Sequence, residues 1–242
     1  MLIIARVNVK IGSLPSKIMD IVNSFIENLE ALFEEKRNPH QALKNKAYMK
    51  NHFEFIGIWT ADRRQLTSLL IKSSPLPDLK TVNTLVHTLW QRQEREYHYA
   101  GIQTLAYYHK LWQPETIELI EFCLTNQSWW DSVDGLNIDC VGKYFMLFPA
   151  STPITTRWNE DSNIWLQRSS IIFQKSFKSK TDRDLLAKHV LNVSESKEFF
   201  VRKAIGWALR EYAKVNREWV LDFVGNNDLS PLSKREALKH LG

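Results

Sequence analysis

The chain is poor in the residues that punctuate β-structure and in those that hold disulfides. Gly and Pro occur eight times each among 242 residues, about 3% apiece against usual values of roughly 7% and 5%. Sandwiches and barrels spend both on tight turns, so this scarcity points to helices. The two cysteines, Cys123 and Cys140, lie in no C-x-x-C pair and have no histidine at ligand spacing. A disulfide framework and a zinc site are both disfavoured. No apolar run approaches the ~18 residues of a membrane span, and Arg6 and Lys10 interrupt the short run Met1–Ile4. The expectation is therefore a cytoplasmic protein with no membrane association, in which the sequons at Asn126 and Asn192 are coincidental. G-x-G-x-x-G, the P-loop, H-E-x-x-H and G-x-S-x-G are all missing, and no two histidines stand four apart. Dinucleotide binding, nucleotide hydrolysis and metal chemistry lose their usual signatures, and neither a metal nor a cofactor is expected.

Helical periodicity is abundant. Ile18, Val22, Phe25, Leu29 and Leu32 recur at the spacing of one helix face, and Asn38-Pro39 ends that helix. The same pattern predicts helices over 40–51, 61–73, 79–91, 94–111, 114–125, 128–148, 163–176, 182–191, 197–214, 217–224 and 233–241. Thr60 and Asp78 are candidate caps of two of them. Roughly a dozen helices joined by short loops predict an all-α fold, an α-solenoid of HEAT-like antiparallel helix pairs. Residues 16–242 read as one domain, preceded by an extension over 1–15 in which Leu2–Val9 alternates weakly.

Charge is distributed unevenly. Residues 163–242 carry 15 Lys and Arg against 9 Asp and Glu, whereas residues 1–162 carry 17 against 18. Such a basic third suits either a polyanionic partner or a merely solvated surface.

Three clusters could carry chemistry. In Ser128-Trp-Trp-Asp-Ser-Val-Asp134, Trp130 and Asp134 are i, i+4 neighbours on one helix face, with Trp129 turned elsewhere. An aromatic face beside a carboxylate stabilises a developing cation; equally, both tryptophans could be core. Lys203, Trp207 and Arg210 form a basic stripe around a tryptophan, suited to a phosphate backbone or to snorkelling cations beside a half-buried ring. Arg168 is the one charge in the helix around Asn163–Gln174. It needs an anionic partner, either an internal carboxylate or a ligand phosphate.

These segments resemble the AlkD-type DNA alkylation repair enzymes. The likeness is carried by Tyr48-Met-Lys-Asn-His-Phe-Glu-Phe-Ile-Gly-Ile-Trp-Thr60, Ser128–Asp134, Asn163-Ile-Trp-Leu-Gln-Arg168, Lys197–Tyr212 and Leu229–His240. It runs from about Phe25 to the C-terminus. The resemblance implies a monomeric, HEAT-like alkylpurine DNA glycosylase with a concave basic groove for duplex DNA. Its substrates would be cationic 3- or 7-alkylated purines, released by hydrolysis without base flipping and without strand cleavage through a lysine. Trp130, Asp134 and Trp207 match the catalytic positions of the family. Arg168, Arg210, Lys203, Tyr48, Thr60 and Trp59 are the expected DNA contacts. Trp59 stands where the family carries a polar residue. A catalytically silent DNA binder and a protein–protein scaffold are the rival readings. Arg168 and Arg210 are expected to meet DNA phosphates and not internal carboxylates.

Overall fold

The computed structural model describes residues 15–239, so the alternating segment Leu2–Val9 lies outside the described residues. The expected all-α fold is present. Among the described residues the sole β-type pairing is one isolated bridge between Glu54 and Glu94. No helix there is long and apolar enough to cross a membrane. Contacts divide the described residues into two compact units, the first ending at Thr104 and the second starting at Leu105, with the division falling inside a helix.

The first unit contains α1 (Ser16–Glu34), α2 (Pro39–Tyr48), α3 (Thr60–Ser73), α4 (Leu79–Trp90) and the start of α5 (Arg95–Tyr107). The predicted α1 stripe is buried through Val22, Phe25 and Leu29, and Val82, Leu85 and Leu89 of α4 are equally inaccessible. Asn38 caps α2 by accepting from the Gln41 amide, and Asp78 caps α4 by accepting from Thr81. Thr60 does not cap α3 as the sequence suggested. It is the first helical residue, and Trp59 occupies the cap position with no side-chain bond.

The α2–α3 connection is fixed from beneath. Glu96, almost fully buried, accepts from the amides of Ile56 at 3.1 Å and Gly57 at 2.8 Å. Burial pushes its carboxyl above the ordinary range, and these two amide bonds oppose the shift. Gly57 has φ +91°, and a Cβ there would stand 2.1 Å from the Asn38 carbonyl oxygen, so only glycine fits.

The second unit contains the end of α5 and α6 (Thr116–Thr125), α7 (Trp130–Leu136), α8 (Gly142–Leu147), α9 (Pro153–Glu160), α10 (Ile164–Ile172), α11 (Arg183–Asn192), α12 (Phe199–Ala213), α13 (Arg217–Asn226) and α14 (Pro231–Leu238). An apolar cluster there joins Ile171, Leu186, Val190, Ile205, Leu209, Val220 and Ala237. Two departures from the periodicity reading occur here. Helix α9 was not foreseen, although Pro153 at its first turn is a regular start signal. The expected helix over 128–148 is interrupted, because 137–141 widens into a π-helical turn. Asn137 donates there to the Val133 carbonyl at 2.8 Å and to Ser169 Oγ at 2.9 Å. The side chain thus ties the end of α7 to α10. Such single π turns are frequent beside functional residues.

Candidate active site

Helices α7, α10 and α12 each bring part of one constellation. Trp130 opens α7 and Asp134 follows one turn later, both partly exposed, so the expected shared face is realised. Trp129 takes the other course open to it. Its ring lies 5.8 Å from Trp165 and 5.2 Å from Phe200, within an aromatic cluster. The Trp-Trp pair thereby splits into one packing residue and one residue of the site.

Arg168 on α10 is only 5% exposed, and each nitrogen of its guanidinium donates one hydrogen bond. Nε donates to Asp134 Oδ1 at 2.8 Å and Nη2 to Asp134 Oδ2 at 2.9 Å, while Nη1 donates to the Phe200 carbonyl at 2.6 Å. This corrects the expectation that Arg168 has no internal carboxylate partner. Between the two alternatives left by the sequence, the internal partner is realised. The physical reason is burial, since a charge this inaccessible must be paired. The forked geometry fixes the plane of the Asp134 carboxylate.

Trp207 comes from α12 and remains partly exposed. Two cations approach its ring. The Lys175 ammonium lies 3.9 Å from the centroid and the Arg168 guanidinium 5.7 Å from it. The ring quadrupole attracts positive charge to these positions. Lys175 was missed in the sequence, and its spacing of seven from Arg168, two helical turns along, was the available signal. Burial lowers its pKa, while the nearby Glu211 and Asp134 carboxylates pull the other way. Gln174 holds the loop that follows. Its side chain accepts from the Asp182 amide at 2.7 Å and donates to the Asp182 carbonyl at 3.1 Å, closing residues 175–181.

The stripe of Lys203, Trp207 and Arg210 does not act as one basic surface. Lys203 pairs with Glu236 of α14 at 2.9 Å, and Arg210 donates to the Glu236 carboxylate at 3.2 Å and to its backbone carbonyl at 2.7 Å. The expectation that Arg210 avoids internal carboxylates is therefore corrected as well. Gly206 explains the arrangement. A Cβ there would sit 2.4 Å from Glu236 Cβ and 2.8 Å from the Ser233 carbonyl, so α14 reaches the α12 backbone only because that position is bare. The cations on either side then close over the glutamate.

The Lys203 ammonium, with Arg210, holds the Glu236 carboxyl below the ordinary glutamate range. A lowered pKa in the folded state stabilises above the unfolded value, and that contribution is lost as pH falls through the folded one. Glu236→Gln is expected to melt lower than the parent at neutral pH, with the gap closing between about pH 5 and pH 3. Thermal melts across that range check this; a gap of constant size would show that the carboxylate charge is not what holds α14.

Tyr48, Trp59 and Thr60 belong to the first unit. Tyr48 ends α2 and is 67% exposed, Trp59 is 60% exposed, and Thr60 opens α3 on the surface. Two successive residues with positive φ, Lys50 at 57° and Asn51 at 61°, turn the chain just after Tyr48. Among the described residues there is no cluster of histidine, cysteine, aspartate and glutamate able to hold a metal ion.

Comparison with known proteins matches the chain to this same class. The family model described as DNA alkylation repair enzyme matches residues 29–241. A solved structure described as a predicted DNA alkylation repair enzyme from Enterococcus faecalis shares 33% identity and a TM-score of 0.81, covering 86% of this chain and 97% of that one. AlkD2 from Streptococcus mutans superposes with a TM-score of 0.60 at 16% identity, over 82% of this chain and 98% of its own. The protein smu.31 from Streptococcus mutans UA159 gives 0.59 at 17% identity, over 74% and 92%. At those lower identities the likeness is one of fold. No curated protein matches the chain. The extent of the family match and the identity to the Enterococcus protein lead to one conclusion: the chain belongs to the DNA alkylation repair enzyme family.

Proposed function

We propose that the protein is a DNA glycosylase that hydrolyses the N-glycosidic bond of cationic alkylated purines, of the 3-methyladenine and 7-methylguanine type, in duplex DNA. The observation that carries this reading is the Asp134 carboxylate, held by both oxygens on Arg168 and one helical turn from Trp130. A purine alkylated at N3 or N7 already bears positive charge and leaves as a neutral base. The sugar left behind becomes oxocarbenium-like at C1′. Asp134 stabilises that charge and orients water for attack at the same carbon. Trp130 and Trp207 bracket the deoxyribose. A ring face that already attracts two cations in the free protein suits a sugar acquiring positive charge.

In this mechanism Arg168 is a positioning residue that aims the carboxylate. Lys203 and Arg210, bound to Glu236 yet partly exposed, touch the DNA backbone from the rim. Tyr48, Trp59 and Thr60 supply contacts from the first unit. No residue here needs to reach the base, so the lesion stays in the stack and a flipped-base pocket is not required.

The reading predicts strong dependence on lesion charge. Release of 7-methylguanine or 3-methyladenine from defined duplexes should exceed release of uracil or hypoxanthine by orders of magnitude, because neutral bases are poor leaving groups without an acid acting on the base. Single-turnover assays on each lesion decide it. Comparable rates on neutral and cationic lesions would rule out the mechanism, and binding with no release of any base would favour a catalytically silent DNA binder.

A further inference from the structure

We propose that Trp59 is a wedge, whose indole enters the base stack of bound duplex DNA, opens one base step and stacks on the base face it uncovers. The inference rests on duplex DNA as the partner. It deepens the contact role given to Trp59, in a form that the family resemblance, with a polar residue at this position, does not supply.

Three observations carry it. The first is the ring itself. Of the nine tryptophans, Trp59 is the one that is exposed, and the other eight are buried or half-buried. Its indole has no hydrogen bond, ring contact or cation contact among the described residues, and it does not cap α3. The second is the stem that presents it. Ile56 and Ile58 are buried, Glu96 holds the Ile56 and Gly57 amides, and the Trp59 carbonyl accepts from the Arg63 amide at 2.9 Å. The Asn38 amide donates to the Ile56 carbonyl at 3.1 Å and ties the same stem to the start of α2. With the backbone fixed, only the side-chain torsions are left to order when the ring inserts. The third is the charge nearby. Lys46 is taken by Glu54, and the Arg63 guanidinium lies over the Tyr99 ring. Lys44, Lys50 and Arg64 are exposed with no ion-pair partner among the described residues. Lys44 stands one turn before Tyr48 on α2, and Arg64 one turn after Thr60 on α3. Free cations on the elements that carry exposed aromatic rings suit a polyanion whose bases offer π-faces.

In a duplex each base face is covered by its neighbour, so an indole reaches one only by opening a step. No base has to leave the helix, which keeps the wedge compatible with a lesion that stays in the stack. The opening cost is lowest where stacking or pairing is already weak, at flexible pyrimidine–purine steps and at mismatches. Trp59 therefore gives the protein a preference for locally weakened duplex that does not depend on the charge of any damaged base.

The test uses the full chain and two duplexes free of alkylated bases, one fully paired and one with a central mismatch flanked by 2-aminopurine. The probe is placed on the DNA because nine tryptophans share the protein's own emission. The parent should bind the mismatched duplex about fivefold or more tighter than the paired one and change the 2-aminopurine emission. Trp59→Phe keeps an apolar ring and should keep both effects. Trp59→Ala and Trp59→Gln should lose both, with an unchanged salt slope because no charge is removed. All three variants should melt within about 2 °C of the parent, since the ring is exposed. Equal binding of the two duplexes by the parent, a preference that persists in Trp59→Ala, or affinity lost with no emission change in the parent complex would each overturn the proposal. A large melting loss in Trp59→Ala would do the same, by marking the ring as a packing residue. Base release from alkylated duplex is measured separately. A Trp59-dependent preference without base release would sink the glycosylase reading alone, and base release without that preference would sink the wedge alone.

Discussion

Asp134→Asn is expected to slow base excision by about a hundred- to a thousand-fold in single-turnover assays on 7-methylguanine duplex, the cost of removing one preorganised charge from the transition state. The substitution keeps the side-chain shape and one oxygen, so Arg168 retains a hydrogen bond. It removes the full negative charge that a C1′ cation needs. DNA affinity should not fall, because an acceptor-only carboxylate cannot bind a phosphate and its removal takes away a repulsion. Excision within about threefold of the parent would remove Asp134 from the chemistry. The melt of this variant must be followed as well, since the buried guanidinium loses its counter-charge.

Arg168→Ala should act first on stability. The pair is bidentate, with Arg168 5% and Asp134 18% exposed, and truncation strands the carboxylate beside the cavity it leaves. Breaking a buried pair from one side costs about 3–5 kcal/mol. The partial exposure of Asp134 places this case near the lower end. A loss of about 3 kcal/mol corresponds to a melting decrease of about 6–12 °C for a chain of this size. Combining Arg168→Ala with Asp134→Asn should cost less than the sum of the two, because the second change removes the stranded charge. Excision by Arg168→Ala should also fall, through loss of carboxylate orientation. An unchanged melt, with the salt slope of DNA binding lowered by about one unit, would instead identify a phosphate contact and restore the role first expected for this arginine.

The arginines show where reading along the chain stops. Arg168 announced itself as an isolated charge in an apolar helix, and the need for an anionic partner followed from burial alone. Which anion it meets was not legible, because Asp134 lies 34 residues away on another helix. Helix periodicity places a residue on a face but does not say which other face it meets. The same holds for Lys203 and Arg210. Their spacing on α12 was read correctly, but Glu236 from α14 was needed to turn a basic stripe into a clamp. The signal that could have warned of this was Gly206 in the middle of a helix, where a missing side chain marks a close neighbour. Lys175 was overlooked because its one signal, a spacing of seven from Arg168, does not say which ring the ammonium will meet.

By itself, the sequence determined the helical class, most helix positions, the Asp78 cap and the shared face of Trp130 and Asp134. Each follows from interactions within a few residues: the 3.6-residue period, capping, and the scarcity of Gly and Pro. Its motifs, matched in order along most of the chain, also indicated the family. Only the tertiary structure decided the partners of the charges. It chose the carboxylate for Arg168, sent Trp129 into an aromatic cluster, set the Lys175 ammonium on Trp207 and widened the helix after Asp134 into a π turn. Those outcomes depend on which helix packs against which, and so on desolvation and long-range pairing that no local pattern encodes.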